Sequence, residues 1–308
     1  MRILFWGTPE FATPTLRALL GEGFEVCGVV TQPDRPVGRR RTVQESPVKR
    51  IARAEGLPVF QPENARDAEL REMLTLMAPD LSVVVAYGHI LPRAIIDLPR
   101  LGTVNIHASL LPALRGAAPI QGALRDGLVE TGVSIMRMVP ALDAGPVILR
   151  AVAPIADDET YGELSERLAE LGALALIEAL ALLELGRANE EPQDDSLATY
   201  APKVTRETTR LDWGSGAHEV ANAIRAYDPR PGAWSTLRGA DVKLFGARRL
   251  PETSGAPGTV LGVDDQGMIV ACASGAVRIA EVQPAGTRRM SAIEWHRGRG
   301  VSIGDQLG

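Results

Sequence analysis

The chain of 308 residues carries a formal net charge of −5, and 45% of its residues are hydrophobic. This length favours two domains, and this composition permits sizeable cores. No apolar run approaches the roughly 18 residues of a membrane span, and no cleavable signal follows the N-terminal apolar run, so we expect a cytoplasmic protein. Cys27 and Cys272 provide neither a disulfide framework nor a metal-ligand spacing, so we expect no bound metal.

The first half alternates strand-like and helix-like patterns. Residues 2–6 and 26–31 are short apolar runs that predict strands, and residues 81–87 form an almost continuous apolar run, typical of a strand buried on both faces. Ser46-Pro47, an N-cap followed by proline, predicts a helix start. A single glycine after the first strand is not the dinucleotide-binding fingerprint, which disfavours a nicotinamide enzyme. The alternation predicts a parallel, doubly wound α/β sheet.

A basic loop is predicted between the second strand and the next helix. Residues 32–46 are dense in turn residues, with Arg39, Arg40 and Arg41 at the tip. Clustered arginines bind phosphate oxygens well. The alternative interpretation is a solvated basic surface. The loop alone does not decide between a phosphate contact and such a surface.

The most informative stretch begins at Asn105 and reads Asn-Ile-His-Ala-Ser-Leu-Leu-Pro-Ala-Leu-Arg-Gly. Alternation along a strand places Asn105 and His107 on the same face, and open α/β sheets bind ligands at the carboxyl ends of their strands. Asp143 follows on a predicted turn. An amide, an imidazole and a carboxylate together can hold a carbonyl, stabilise its oxyanion and accept a proton, whereas a polar pair alone could equally cap neighbouring backbone.

The second half predicts a separate barrel. Residues 160–186 form a long Leu/Ala-rich helix, and the polar residues 187–204 are interpreted as an interdomain linker. A helix at 215–227 precedes five short strand-like runs, at 233–238, 241–250, 258–263, 268–273 and 276–283. Such runs with glycine turns favour a small closed barrel of the OB type. We therefore divide the chain into a catalytic domain at 1–186, a linker at 187–204 and a C-terminal barrel domain at 205–308.

Four segments carry a resemblance to a known family: Asn105–Pro112, Arg115–Gln121, Thr131–Ser134 and Asp143-x-Gly145. In this order and spacing they resemble the folate-dependent formyltransferases, and the whole chain resembles the branch that acts on methionyl-tRNA. The resemblance implies a Rossmann-like catalytic domain, an RNA-binding barrel, 10-formyltetrahydrofolate as the formyl donor and initiator methionyl-tRNA as the acceptor. The product would be N-formylmethionyl-tRNA for translation initiation, and we expect the enzyme to be a monomer.

The resemblance also implies roles for single residues. Asn105 hydrogen-bonds the formyl oxygen, His107 stabilises the oxyanion of the tetrahedral intermediate, and Asp143 orients His107 and helps to remove the ammonium proton through water. The implied folate contacts are Ser109, Leu110, Leu111, Pro112, Ile90, Leu91 and Val139. The implied tRNA contacts are Arg39, Arg40 and Arg41. Arg40 stands where family members often have glycine.

Three other functions remain open at this point. A formyltransferase acting on glycinamide ribonucleotide or on a sugar nucleotide shares the Asn, His and Asp set, and so does a hydrolase that releases formate from the same folate. A non-catalytic RNA-binding protein would keep the barrel without needing these side chains. The basic loop and the second domain favour the tRNA substrate over the ribonucleotide.

Overall fold

The computed structural model of the chain describes residues 1–37, 42–253 and 255–308. These residues divide into two compact units that interleave along the sequence. The first unit comprises Met1–Gly116, Gly132–Ala153 and Ser165–Tyr200, and the second comprises Ala117–Thr131, Pro154–Leu164 and Ala201–Gly308. The sequence-based domain limits at 186 and 205 stay a prediction.

The strands up to residue 154 are, in chain order, β1 Arg2–Gly7, β2 Glu25–Val30, β3 Arg35–Val37, β4 Thr42–Gln44, β5 Val59–Phe60, β6 Leu81–Val85, β7 Thr103–His107, β8 Glu130–Arg137 and β9 Val147–Pro154. Strands β3 and β4 pair as an antiparallel ribbon within the predicted loop, and the other seven form one sheet in the order β5-β2-β1-β6-β7-β8-β9. The pairs from β5 to β7 are parallel. The predicted parallel α/β sheet is therefore confirmed for the strands from β5 to β7, and the sheet as a whole is parallel-dominated.

The pairing of β8 with β7 departs from the predicted parallel direction. Strand β8 pairs with β7 in the antiparallel sense, with His107 opposite Ser134. Apolar runs report that a strand is buried on both faces but carry no information on its direction, so the sequence pattern could not reveal this pair. The antiparallel pairing brings β8 alongside the end of β7 that carries the polar side chains.

Helices α1 Thr13–Gly21, α2 Pro47–Ala54, α3 Ala68–Met77, α4 Arg93–Ile96, α5 Pro119–Arg125 and α6 Tyr161–Glu184 follow in chain order. The predicted start of α2 is confirmed, because the Ser46 hydroxyl accepts the Lys49 backbone N–H at 3.1 Å and Pro47 occupies the first turn. The four-residue helix α4 was not predicted, since it is too short to show a period. No helix of the described residues is both long and apolar enough to span a membrane.

Part of the core of the first unit lies beside the ends of β1 and β6. All five residues of β6 are buried, and the Trp6 ring meets the Tyr87 ring edge-on at a centroid distance of 5.1 Å. The backbone leaves the strand through positive φ at Ala86 and Gly88. Burial raises the pKa of Tyr87 to about 12, so this phenol stays neutral at physiological pH and supports packing rather than proton transfer.

The second unit is built on an antiparallel sheet. After α7 Ala217–Tyr227 come β10 Ala233–Leu237, β11 Ala240–Leu250, β12 Val260–Asp264, β13 Gly267–Ala271, β14 Ala276–Pro284 and β15 Met290–Ser291, followed by α8 Ala292–Arg297. The five predicted strands are confirmed as β10 to β14. They follow the order β10-β11-β14-β13-β12, every pair is antiparallel, and β15 adds to β14.

The C-terminal tail closes this sheet. Gly308 and Thr236 of β10 exchange two backbone hydrogen bonds of 2.9 and 3.0 Å, while Leu307 N–H donates to the Gly258 carbonyl at 2.9 Å and Val260 N–H of β12 donates to the Asp305 carbonyl at 2.8 Å. Asp305, Leu307 and Gly308 therefore bond to residues at both outer edges of the sheet. A free edge strand exposes unpaired backbone groups, and the tail pairs part of each edge.

We expect Leu307→Ala to destabilise the second unit by about 2–5 kcal/mol, the usual cost of a large-to-small change at a buried leucine, because Leu307 is buried between the outer strands. Denaturant unfolding read by tryptophan fluorescence measures this change, since three of the four tryptophans, Trp213, Trp234 and Trp295, lie in this unit. Ile303→Ala is the matched control, because Ile303 is exposed on the same tail. Equal stabilities of the two variants would show that the tail does not close the sheet.

Candidate active site

Strand β7 presents two polar side chains at its carboxyl end. His107 is its last residue and is only 5% exposed. Asn105 is two residues earlier, half-buried, and therefore on the same face. The local sequence explains this placement, because Val104 and Ile106 alternate with them and are buried on the opposite side. The predicted juxtaposition of an amide and an imidazole is thus present at this sheet edge.

The His107 ring is oriented by the loop that follows β7. Its Nε2 lies 3.0 Å from the Leu114 carbonyl oxygen, and a carbonyl only accepts, so Nε2 carries the proton of this hydrogen bond. Nδ1 lies 3.7 Å from the Asp143 Oδ2, which is too long for a direct hydrogen bond. Leu114 therefore fixes the ring through Nε2, and the Asp143 carboxylate lies beside the Nδ1 edge without a direct hydrogen bond to it.

Asp143 sits on a tight turn with a left-handed backbone, φ 47°. Its Oδ2 accepts the Gly116 backbone N–H at 2.8 Å. Two residues later, a Cβ on Gly145 would lie 1.9 Å from the Arg137 carbonyl oxygen, so only glycine fits there. The Asp-x-Gly pattern of the sequence therefore has a steric cause: the turn passes against the end of β8.

The loop Ser109–Pro112 is held by hydrogen bonds to Ala113 and to Ser134 of β8. The Ser109 hydroxyl donates to the Ala113 carbonyl at 2.6 Å, and the Ser134 hydroxyl donates to the Ser109 carbonyl at 2.7 Å while accepting the Leu111 N–H at 3.0 Å. The Leu111–Pro112 peptide is cis. The Ser109 hydroxyl is therefore engaged within its own loop.

The seven predicted folate contacts differ in exposure. Ile90 is 82% exposed, and Leu110, Pro112 and Val139 are half-buried. Leu91 and Leu111 are core residues: Leu91 packs in the cluster that contains Trp6 and Tyr87, and Leu111 packs with Met136 and Val147. Ile90, Leu110, Pro112 and Val139 thus keep apolar surface accessible, whereas Leu91 and Leu111 are buried in cores.

The predicted tRNA-contact arginines, Arg39, Arg40 and Arg41, lie outside the described residues. The base of their loop is described: Lys49 Nζ contacts Asp34 Oδ2 at 2.5 Å, and Gln61 Nε2 donates to Asp34 Oδ1 at 2.8 Å. The Lys49 hydrogen bond, with that of Gln61, holds the pKa of Asp34 below its usual value. Within residues 1–37, 42–253 and 255–308, no group of three or more His, Cys, Asp or Glu side chains could hold a metal ion.

A cavity of about 920 Å³ in the second unit contains none of the predicted site residues. Arg225, Arg248 and Arg249 line it opposite Asp157, Asp158 and Glu219. Its charges are therefore balanced, and size alone does not make it the catalytic site. The arrangement at the end of β7 has the better chemistry, because it combines an amide, an imidazole and a carboxylate at one sheet edge.

Comparison with known proteins decides the family. A family model described as "Formyl transferase" matches residues 1–180, and one described as "Formyl transferase, C-terminal domain" matches residues 203–300. The chain belongs to the formyl transferase family. The resemblance inferred from the sequence segments is thereby confirmed.

Close relatives of this formyl transferase cover its whole length. Methionyl-tRNA formyltransferase of Methylococcus capsulatus is 49% identical over 309 residues, and that of Thiobacillus denitrificans is 47% identical over 310 residues, each covering 100% of both chains. Among solved structures, HypX from Aquifex aeolicus in complex with tetrahydrofolic acid matches 96% of this chain and 46% of its own longer chain, with a TM-score of 0.65 and 22% identity.

An N-formyltransferase from Helicobacter canadensis, solved with folinic acid and dTDP-3-aminofucose, matches 94% of this chain and 99% of its own, with a TM-score of 0.68 and 15% identity. At 15% and 22% identity these two structures show the fold alone.

Sequence reasoning missed several residues that hold the candidate site of this formyl transferase. Arg115 lies within a recognised segment but received no role, and Gln193 and Thr199 fall in the polar segment interpreted as a linker. No local pattern marks Gln193 or Thr199, since their partners lie at least 48 positions away in the chain. Only long-range contacts could reveal them.

We expect Gly145→Ala to lower formyl transfer by about 10-fold or more, because the added Cβ displaces the Asp143 turn and a displacement near 1 Å can cost up to ~100-fold. Overpacking of this kind also costs about 1–3 kcal/mol of stability. Single-turnover kinetics and denaturant unfolding measure both effects. Gly21→Ala is the control, since its Cβ would meet nothing within 4 Å. Normal turnover in Gly145→Ala would show that the turn adjusts freely.

Proposed function

We propose that the chain transfers the formyl group of 10-formyltetrahydrofolate to the amino group of initiator methionyl-tRNA. The observation that carries this proposal is the pairing of His107 with Asp143 at a distance of 3.7 Å beside Asn105. The relatives named methionyl-tRNA formyltransferase support it, because their 47–49% identity extends over the full chain, including the C-terminal unit.

The proposed chemistry needs proton removal and oxyanion support more than a strong base. An α-amino group has a pKa of about 7.7–8.0, so its neutral, nucleophilic form is readily available. Bound folate supplies the activated formyl carbon. Asn105 is the donor proposed for the formyl oxygen, and the Nδ1 edge of His107 faces the same space because Leu114 occupies Nε2. Asp143, held by the Gly116 N–H, accepts the proton that leaves the amine.

The folate side of the site is proposed to be the apolar surface beside this edge. Ile90, Leu110, Pro112 and Val139 offer contact area, and Leu91 and Leu111 hold that wall in place from the core. Ser109 contributes through its loop, since its hydroxyl is bonded to Ala113. Ligand sites usually combine such apolar lining with a few placed polar groups.

The tRNA side of the site is proposed to involve the arginine loop and the C-terminal barrel domain. The described residues of positions 205–308 carry an excess of basic over acidic side chains, and positive charge neutralises phosphates. The enzyme is proposed to act in the cytoplasm, where charged initiator tRNA is used, and as a monomer. Sedimentation at several protein concentrations tests the oligomeric state.

A sugar-nucleotide formyltransferase is the second candidate, because solved enzymes of that kind share the fold. One assay separates the candidates: the chain is given 10-formyltetrahydrofolate with methionyl-tRNA, with a dTDP-linked amino sugar, or with water alone. We expect N-formylmethionyl-tRNA as the dominant product. Faster transfer to the sugar, or formate release that tRNA does not accelerate, would contradict the proposed function.

Asp143→Asn keeps the size of the side chain but removes its charge and its capacity to accept a proton. We expect single-turnover formylation to fall by about 100-fold or more, the usual scale for general acid–base roles, with folate binding changed much less. Asp97→Asn is the control, because Asp97 is an exposed carboxylate of the same unit paired with Arg93. Near-normal turnover by Asp143→Asn would remove Asp143 from the mechanism.

The arginine loop is tested by replacing Arg39, Arg40 and Arg41 together with Ala. If each neutralises one phosphate, the slope of log affinity against log salt should flatten by roughly 2. Folate hydrolysis without tRNA should not change. The matched control replaces three exposed arginines of the first unit and removes the same charge: Arg17, Arg66 and Arg71. The same slope in the loop variant and the wild type would leave the loop as a solvated surface.

A further inference from the structure

The side-chain amide of Gln193 makes four hydrogen bonds in the first unit. Its Oε1 accepts from Arg115 Nε at 3.0 Å and from Arg115 Nη2 at 2.8 Å. Its Nε2 donates to the carbonyls of Asp143 at 2.8 Å and of Gly145 at 2.7 Å. Because a guanidinium only donates and a carbonyl only accepts, the orientation of the Gln193 amide is fixed.

These bonds close a ring around the Asp143 turn. Gln193 donates to the Asp143 carbonyl, and Arg115 donates to Gln193. The backbone N–H of Gly116, the residue after Arg115, donates to the Asp143 carboxylate. Arg115 is itself only 3% exposed. The Asp143 turn is therefore hydrogen-bonded at its backbone, through Gln193 and Arg115, and at its side chain, by Gly116. Arg115 and Gly116 are adjacent in sequence.

These hydrogen bonds stabilise a strained backbone conformation at Asp143. Asp143 has φ 47°, a left-handed conformation that costs a non-glycine residue free energy and persists only where surrounding contacts impose it. Without the two N–H donors of Gln193, the carbonyls of Asp143 and Gly145 lose their partners and the turn can relax. The carboxylate would then leave its position beside the Nδ1 edge of His107.

The segment that carries Gln193 makes further ion pairs and hydrogen bonds with the same unit. Arg137 pairs with Glu190 at 2.8 Å and Arg150 pairs with Glu191 at 2.6 Å. Further along, the Thr199 hydroxyl accepts the Leu114 N–H at 2.9 Å. Since Leu114 orients the His107 ring, the segment Glu190–Tyr200 contacts the supports of both titratable side chains of the site.

We propose that Gln193 is a positioning residue for formyl transfer, which holds the Asp143 carboxylate in its working place through the turn backbone. Gln193 does not contact reacting atoms. This inference rests on the proposed function, because it assigns Gln193 to the support of the Asp143 base.

Gln193→Glu tests the donor half of the amide separately from its acceptor half. The carboxylate keeps an oxygen that can accept from both Arg115 N–H groups, but it loses the two N–H donors and faces the Asp143 and Gly145 carbonyls with an acceptor. We expect single-turnover transfer to fall by about 10- to 100-fold, with the KM for the folate changed by less than about 3-fold. Gln193→Met, of similar length and without hydrogen-bonding groups, should give a similar loss and replaces Gln193→Glu if that variant fails to fold.

Asp195→Asn is the matched control. Asp195 contacts the same Arg115, at 2.8 Å, but does so from a side chain that is 81% exposed, and exposed ion pairs contribute little. Its turnover should stay within about 2-fold of wild type. A loss as large as that of Gln193→Glu would show that the Arg115 contact, rather than the Asp143 turn, is what matters, and would overturn the proposal.

A double-mutant cycle with Asp143→Asn gives the decisive readout. If Gln193 acts through the carboxylate, Gln193→Glu should cost little once Asp143 is Asn, because the two changes remove one unit of function. An equal fold-loss in both backgrounds would overturn the positioning role while leaving formyl transfer intact. A wild-type enzyme that transfers no formyl group to methionyl-tRNA would overturn the proposed function as well, so the two failures are distinguishable.

Discussion

The hydrogen bond from the Gly116 N–H to the Asp143 carboxylate joins the two loops on which the candidate site depends. One loop follows β7 and carries Leu114, which orients the His107 ring. The other carries Asp143 itself in a left-handed conformation. Strand β7 fixes Asn105 and His107 by its alternation. Asp143 follows His107 by 36 positions, and its turn is joined to the loop after β7 by this bond and by the hydrogen bond from Gln193 to the Asp143 carbonyl.

The residues around that bond differ in burial. His107 and Ser109 are buried, and each donates a hydrogen bond to a backbone carbonyl, which orients its side chain. Ile90 is exposed and free to meet a ligand. A formyl transferase needs both kinds of residue, because preorganised polar groups stabilise developing charge while apolar surface binds the folate ring. Leu91 and Leu111, by contrast, pack in the cores of the same unit.

The segment after α6 shows what composition alone leaves open. It is polar and rich in turn residues, the usual signature of a linker, yet Glu190, Glu191 and Gln193 are bound to side chains of the first unit. Polarity reports only that a segment does not enter a core. It does not tell whether the polar groups face water or satisfy the polar groups of a functional site.

The sequence by itself determined the class of sheet, the five strands of the barrel, the start of α2 and the family, because each depends on local periodicity, capping or an ordered motif. It also nominated Asn105, His107 and Asp143. Only the tertiary structure decided that β8 runs antiparallel to β7, that Leu114 rather than Asp143 bonds the His107 ring, and that Gln193 holds the Asp143 turn. These features are contacts between positions distant in the chain, and neither periodicity nor spacing encodes which distant backbone group a side chain will meet.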